Sequence, residues 1–184
     1  MLAIVSTMFA KSSAVVSRRR RPPGYPAELE QMLGGLTIRP VVPQDVDRLR
    51  AEFESADGET LRMRFFVPKP HLSSGDFERL TTVDYDRRLA ITAWDGNRPA
   101  AIGRFEPAGD TTAEVAFVVK PAYRNQGVGR GLIEILATAA ADRGYQELEA
   151  SYLAENVAAA AALKAAGFSR RSAESGVVEV SRSI

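Results

Sequence analysis

The sequence predicts a mixed α/β (α+β) fold, a mostly antiparallel central sheet of six to seven strands with flanking helices. Three observations predict it. Residues 89–119 read as three apolar strands joined by short turns, an antiparallel meander. Beyond residue 120 the pattern changes to a Gly- and Arg-rich loop, an amphipathic helix, and then strand, helix and strand. The 184 residues are 45% hydrophobic and 26% charged and contain no repeat, which suits one ordinary folded domain.

In chain order, Leu36-Thr37-Ile38-Arg39 alternates apolar and polar and reads as a first strand, ended by Pro40 and Pro43. Residues 44–55 are a helix, with Val46, Leu49 and Phe53 on one face. Asp57-Gly58 breaks it, and residues 60–67 form a short helix or turn that packs Leu61, Met63, Phe65 and Phe66. Ser73 or Ser74 caps a helix running to about Thr82. The meander follows: residues 89–94, the turn Asp95-Gly96-Asn97, residues 100–106, a second turn at 107–110, and residues 112–119. Leu132, Ile133, Leu136, Ala139 and Ala140 place a helix over 129–142, with Gly144 as its stop signal. Residues 148–153 are a strand, the alanine-rich segment 156–166 a helix ended by Gly167, and the remainder one or two last strands.

Composition removes several chemistries. With no cysteine there is no disulfide, thiolate metal site or cysteine nucleophile, and His71 is the only histidine, so no metal is expected. A net charge of +1 points to neither nucleic acid nor a membrane surface. Residues 1–24 read as a disordered basic tail: a mildly apolar run precedes Arg18-Arg19-Arg20-Arg21, the reverse of a secretory signal, and is too short to span a bilayer. The folded domain is expected over 25–184, in the cytoplasm, as a monomer or homodimer. His71 reads as a surface-loop residue, Arg62 and Arg64 as a solvated or structural pair, and Trp94 as core.

The chemistry is expected in the strand-to-helix segment 118–130. Its glycines let the backbone approach a ligand, and the unpaired N–H groups at a helix start favour an anion. It lacks the Lys-Ser/Thr of a P-loop and the full spacing of the dinucleotide fingerprint. The glycines alone leave a phosphate cradle and a plain tight turn equally open.

Arg124-x-x-Gly127-x-Gly129 resembles the Arg/Gln-x-x-Gly-x-Gly/Ala motif of the GNAT acetyltransferases, and Asn156, the alanine helix and Gly167-Phe168 resemble that family's second motif. The resemblance implies a GNAT fold, acetyl-CoA as cosubstrate, and pyrophosphate held by loop N–H groups across Arg124, Asn125, Gln126, Gly127, Val128, Gly129 and Arg130. It implies pantetheine pairing at Phe117 and Val119, an oxyanion donor at Val118 or a neighbour, and cofactor contact from Asn156. A narrower resemblance, to protein lysine acetyltransferases of the Pat type, rests on Tyr25-Pro26-Ala27-Glu28-Leu29-Glu30, Ile38-Arg39-Pro40, Arg62-Met63-Arg64-Phe65-Phe66, Val83-Asp84-Tyr85-Asp86 and Ala113-Glu114-Val115-Ala116-Phe117. It implies direct transfer to a protein lysine, such as that of an acyl-CoA synthetase. That group often carries a fused regulatory region, for which these 184 residues leave no room.

Glu114 is the only charge in an apolar strand, on the face of Ala116 and Val118. There it is either a solvent-facing carboxylate or a partly desolvated one, as a working base needs. The Pat-type resemblance implies a catalytic glutamate at this position. The sequence also departs from the family: the position where many GNAT enzymes carry a tyrosine acid is Leu163, leaving Tyr152, water or an unprotonated thiolate. A GNAT enzyme for a small amine and a non-catalytic CoA sensor are the competing expectations.

Overall fold

The computed structural model describes residues 21–67 and 71–184. Most of the expected tail, residues 1–20, therefore lies outside the described residues, as do 68–70. Residues 21–24 are described: Tyr25 N–H donates to Pro22 O and Arg21 pairs with Glu30 at 3.0 Å.

A single sheet of eight strands runs in the order β1-β2-β3-β4-β5-β6-β8-β7. They are β1 (Gln31–Leu33), β2 (Leu36–Pro40), β3 (Leu89–Asp95), β4 (Arg98–Pro107), β5 (Thr112–Val119), β6 (Glu147–Leu153), β7 (Ser169–Glu174) and β8 (Val177–Ser183). The helices are α1 (Val46–Ser55), α2 (Gly58–Phe65), α3 (Ser74–Thr81), α4 (Val128–Ala141) and α5 (Val157–Ala165). All neighbouring strands are antiparallel except β5 and β6, which α4 connects in parallel.

The expected six to seven strands become eight because β1, at three residues, is too short to show periodicity. The signal for it was the turn. Gly34 and Gly35 both have positive φ (+55° and +83°), the two-residue hairpin geometry that glycine adopts without strain. The expected break at Asp57-Gly58 is a helix start: Asp57 accepts from Thr60 N–H and caps α2. Ser73 caps α3 as expected, and Asn156 caps α5.

β3 and β4 are buried on both faces, which explains their near-continuous apolar sequence. Leu132, Ile133 and Leu136 of α4 pack on the sheet with Ile91, Phe105 and Leu148, all fully buried. α1 and α2 lie against β4 and β5.

Trp94 is core, as expected, and shows what fixes the β2 end. Arg39 stacks over its ring at 4.5 Å and pairs bidentately with Asp45 at 2.7 and 2.8 Å. Asp45 is fully buried and also accepts Val42 N–H. Asp45→Ala would strand a buried guanidinium and is expected to cost about 3–5 kcal/mol, lowering Tm by roughly 10 °C. Thermal unfolding monitored by circular dichroism checks this.

Candidate active site

The site is built by one departure from sheet regularity. β5 pairs with β6 only over Thr112↔Glu147, Ala113↔Leu148 and Glu114↔Glu149. Beyond Glu114 the strands diverge, while β5 stays in register with β4 through Ala101↔Val119. One edge of β5 from Val115 to Val119 is therefore left without a strand partner. Lys120 N–H donates to Ala100 O at 3.0 Å, so Lys120/Ala100 and, two steps back, Val118/Ile102 are the hydrogen-bonded pairs of the β4–β5 ladder. Phe117 and Val119 turn their N–H and C=O groups into the gap. Of the expected oxyanion donors, Val118 or a neighbour, Val118 points its N–H at β4 and its neighbours Phe117 and Val119 point theirs into the gap.

The gap opens into a groove of ≈ 520 Å³. Phe117, Val118 and Val119 line one side, the 124–130 loop closes one end, and Asn156 and α5 form the other side. The loop is shaped by left-handed residues, Asn125 (φ +59°) and Gly127 (φ +78°), the latter standing immediately before α4. The first intrahelical bond there is Gly131 N–H to Gly127 O, so the N–H groups of Val128, Gly129 and Arg130 have no helical acceptor. The Val128 side chain is core; only its backbone serves the groove. Arg130 is exposed, with no ion-pair partner among the described residues.

Two loop side chains are committed to holding its shape. Arg124 Nε donates to Val119 O at 3.0 Å and Nη2 to Thr60 Oγ1 at 3.1 Å, so this arginine, expected to face phosphate, also ties the loop to β5 and α2. The Val119 carbonyl keeps a second lone pair. Gln126 turns its side-chain amide to Ala122 O at 3.0 Å, so any part it takes in the groove falls to its backbone. Asn156 lines the groove with Oδ1 engaged as the α5 cap.

A second cavity of ≈ 200 Å³ adjoins the groove and shares Met63, Arg64, Phe117, Asn156 and Ala159 with it. Glu114, Ala116, Ser151, Arg64 and Phe66 line it, as do Tyr152, Asn156 and Leu163. Glu114 is exposed, the solvent-facing alternative of the two the sequence left open. Its surroundings nonetheless single it out. Glu106, Glu114 and Glu149 are register partners across β4, β5 and β6. Arg104, Arg88 and Arg79 approach Glu106 at 2.6, 3.3 and 3.7 Å, and Arg171 lies 3.7 Å from Glu149. Glu114 alone of the row has no ion pair among the described residues. Burial pushes Arg104 down to about 10, opposed by Glu106.

α2 falls where a short helix or turn was expected over 60–67, but which of its side chains reach the site was not legible. Arg62 and Arg64 were expected to be one pair, but their roles differ. Arg62 bonds Glu59 and reaches across to Glu155, beside the α5 cap. Arg64 lines both cavities; burial lowers its pKa, and the Glu114 and Glu106 carboxylates oppose that shift. His71 is exposed, as expected.

The model of the acetyltransferase (GNAT) family matches residues 55–168, well over half of the chain. The chain belongs to the GNAT acetyltransferase family. Acetyltransferase Pat of Mycolicibacterium smegmatis is 35% identical over 126 residues, which is 66% of this chain and 37% of the relative's length. The GNAT domain of S. lividans PAT superposes with a TM-score of 0.81 at 31% identity, covering 87% of this chain and 99% of that one. A phosphinothricin acetyltransferase of Sinorhizobium meliloti, solved in complex with AcCoA, shares the fold (TM-score 0.64, 15% identity, 82% and 89% covered). Against the GNAT pattern, Leu163 is fully buried and carries no proton, whereas Tyr152 lines the same slot and its hydroxyl has no hydrogen-bond partner among the described residues. Among those residues there is no group of three or more acidic or histidine side chains that could hold a metal ion, and no helix long and apolar enough to cross a membrane.

Proposed function

We propose that this chain is an N-acetyltransferase that moves the acetyl group of acetyl-CoA directly to a lysine amine of a protein, such as an acyl-CoA synthetase, in the cytoplasm. The observation that supports it most is the divergence of β5 from β6 just beyond Glu114, with a helix start of unpaired N–H groups on one adjoining cavity and a lone carboxylate on the other. The N–H groups of Val128, Gly129 and Arg130 suit a pyrophosphate, with Arg124 and Arg130 at the mouth. The Phe117 and Val119 backbone suits the amides of a pantetheine arm lying as an added strand.

Glu114, on the acceptor side, takes a proton from the ammonium, whose ordinary pKa of about 10.4 keeps it charged at neutral pH. The neutral nitrogen attacks the thioester carbonyl, whose oxygen gains charge beside backbone N–H groups of the gap. As the adduct collapses, the nitrogen gives up its second proton and the carbon–sulfur bond breaks. The CoA sulfur leaves as thiolate, which a thiol pKa of about 8.5 permits, with the nitrogen proton passing to water, or it takes the Tyr152 proton and the nitrogen proton restores the tyrosine through water.

The test mixes the protein with acetyl-CoA and an AMP-forming acyl-CoA synthetase and follows the synthetase by intact mass. A gain of one acetyl group on a lysine supports the reading. No acetylation while CoA still binds moves the assignment to a small-amine acceptor or a sensor. On the same reading, Arg124→Ala frees the loop from β5 and α2 and is expected to weaken acetyl-CoA binding about tenfold, roughly 1.4 kcal/mol, read by calorimetry.

A further inference from the structure

Phe66 sits at the C-terminal cap of α2 with φ +63° and ψ 8°, a left-handed conformation that glycine or asparagine adopts readily and a phenylalanine does not. Its ring is 38% exposed and, among the described residues, stacks on no other ring. A bulky aromatic is thus held in strained backbone, partly exposed, and it lines the slot that contains Glu114. On the same side, Ala116 shares the strand face of Glu114, and Met63 comes from α2.

We propose that Phe66 is an acceptor-specificity residue whose ring covers the alkyl stem of the incoming lysine while the amine at its tip reaches Glu114. This rests on the acetyl-transfer reading above. Phe66, Met63 and Ala116 give the slot an apolar stretch, Glu114 is its one carboxylate and Arg64 its one cation, so it suits a chain with an apolar stem and a single positive charge placed at Glu114. A lysine side chain, with its four-carbon stem, has that form. A polyamine brings a second positive charge, which the Arg64 guanidinium in the same slot repels. A polyhydroxylated amine would leave unpaired those hydroxyl groups that lie against Phe66, Ala116 and Met63, where a lysine stem has none. The acceptor class is therefore a lone ammonium on an alkyl stem.

The experiment measures binding, so it does not depend on turnover. Calorimetry is run with CoA, and with a conjugate joining the CoA sulfur through an acetyl linker to the side-chain nitrogen of N-acetyl-lysine methylamide. A third ligand replaces that lysine with spermidine. The proteins are wild type, Phe66→Ala and Phe66→Gly, with thermal melts of each. Wild type is expected to bind the lysine conjugate more tightly than either CoA or the spermidine conjugate. Both variants are expected to lose about tenfold on the lysine conjugate and to keep CoA affinity within about twofold. Phe66→Gly is expected to melt above Phe66→Ala because it relieves the left-handed backbone, so equal affinity losses cannot be a stability effect.

The proposal is overturned if the lysine conjugate binds no more tightly than CoA, if the spermidine conjugate matches it, if neither variant loses affinity, or if the loss follows the melting temperature. Failure of CoA itself to bind defeats the acetyl-transfer reading and this inference with it. Tight CoA binding with an indifferent lysine arm defeats this inference alone.

Discussion

Glu114→Gln is expected to lower kcat for acetyl transfer by about 10²–10⁴-fold while leaving acetyl-CoA affinity unchanged. The amide keeps the shape of the side chain and removes its ability to take a proton. Affinity is expected to hold because Glu114 lines the acceptor slot, not the groove that ends at the helix start. The neighbouring carboxylates are poor substitutes. Glu106 is surrounded by Arg79, Arg88 and Arg104, and Glu149 has Arg171 beside it. Steady-state kinetics with varied acceptor, alongside calorimetry with acetyl-CoA, reads both halves. A variant with the wild-type rate would remove Glu114 from the mechanism and make Glu149, its register partner on β6, the next residue to test.

Gly127→Glu is expected to weaken acetyl-CoA binding at least about 100-fold, roughly 2.7 kcal/mol, through two effects of the same sign. Gly127 holds φ +78° immediately before α4, so a glutamate there strains the turn that aims the loop. A Cβ at this position meets no atom within 4 Å, so the new carboxylate has room to stand at the helix start, where it competes with a phosphate for the N–H groups of α4. Gly127→Asn separates the effects, because asparagine tolerates the left-handed region and adds no charge; it is expected to keep the melting temperature and most of the affinity. Calorimetry and thermal unfolding of the pair decide the matter. Wild-type binding by Gly127→Glu would mean that this loop is a turn and not a cradle.

Much of the fold was legible because its signals are local. The meander announces itself through apolar runs and the Asp95-Gly96-Asn97 turn, and α4 and α5 through helical spacing, caps and stop glycines. β1 was not, since three residues carry no period, although the paired glycines after it were a usable sign. Glu114 was legible as the lone charge of β5, but its exposure was not. Whether a strand face is covered depends on where α2 lies, and α2 is tied down by Arg62–Glu155, a contact 93 residues apart.

The sequence by itself determined the family, the order of elements after Leu36, the glycine-rich loop before α4 and the lone carboxylate of β5. Those depend on motifs and on neighbours within a few turns or strands. Only the tertiary structure decided the rest. It set the point at which β5 leaves β6, which of two adjacent backbone N–H groups faces the gap, the tie of Arg124 to Thr60 and Val119, and the placement of Arg64 and Phe66 beside Glu114. Each of these depends on ladder parity or on the docking of a helix against a strand distant in sequence, and neither leaves a periodic trace in the residues that take part.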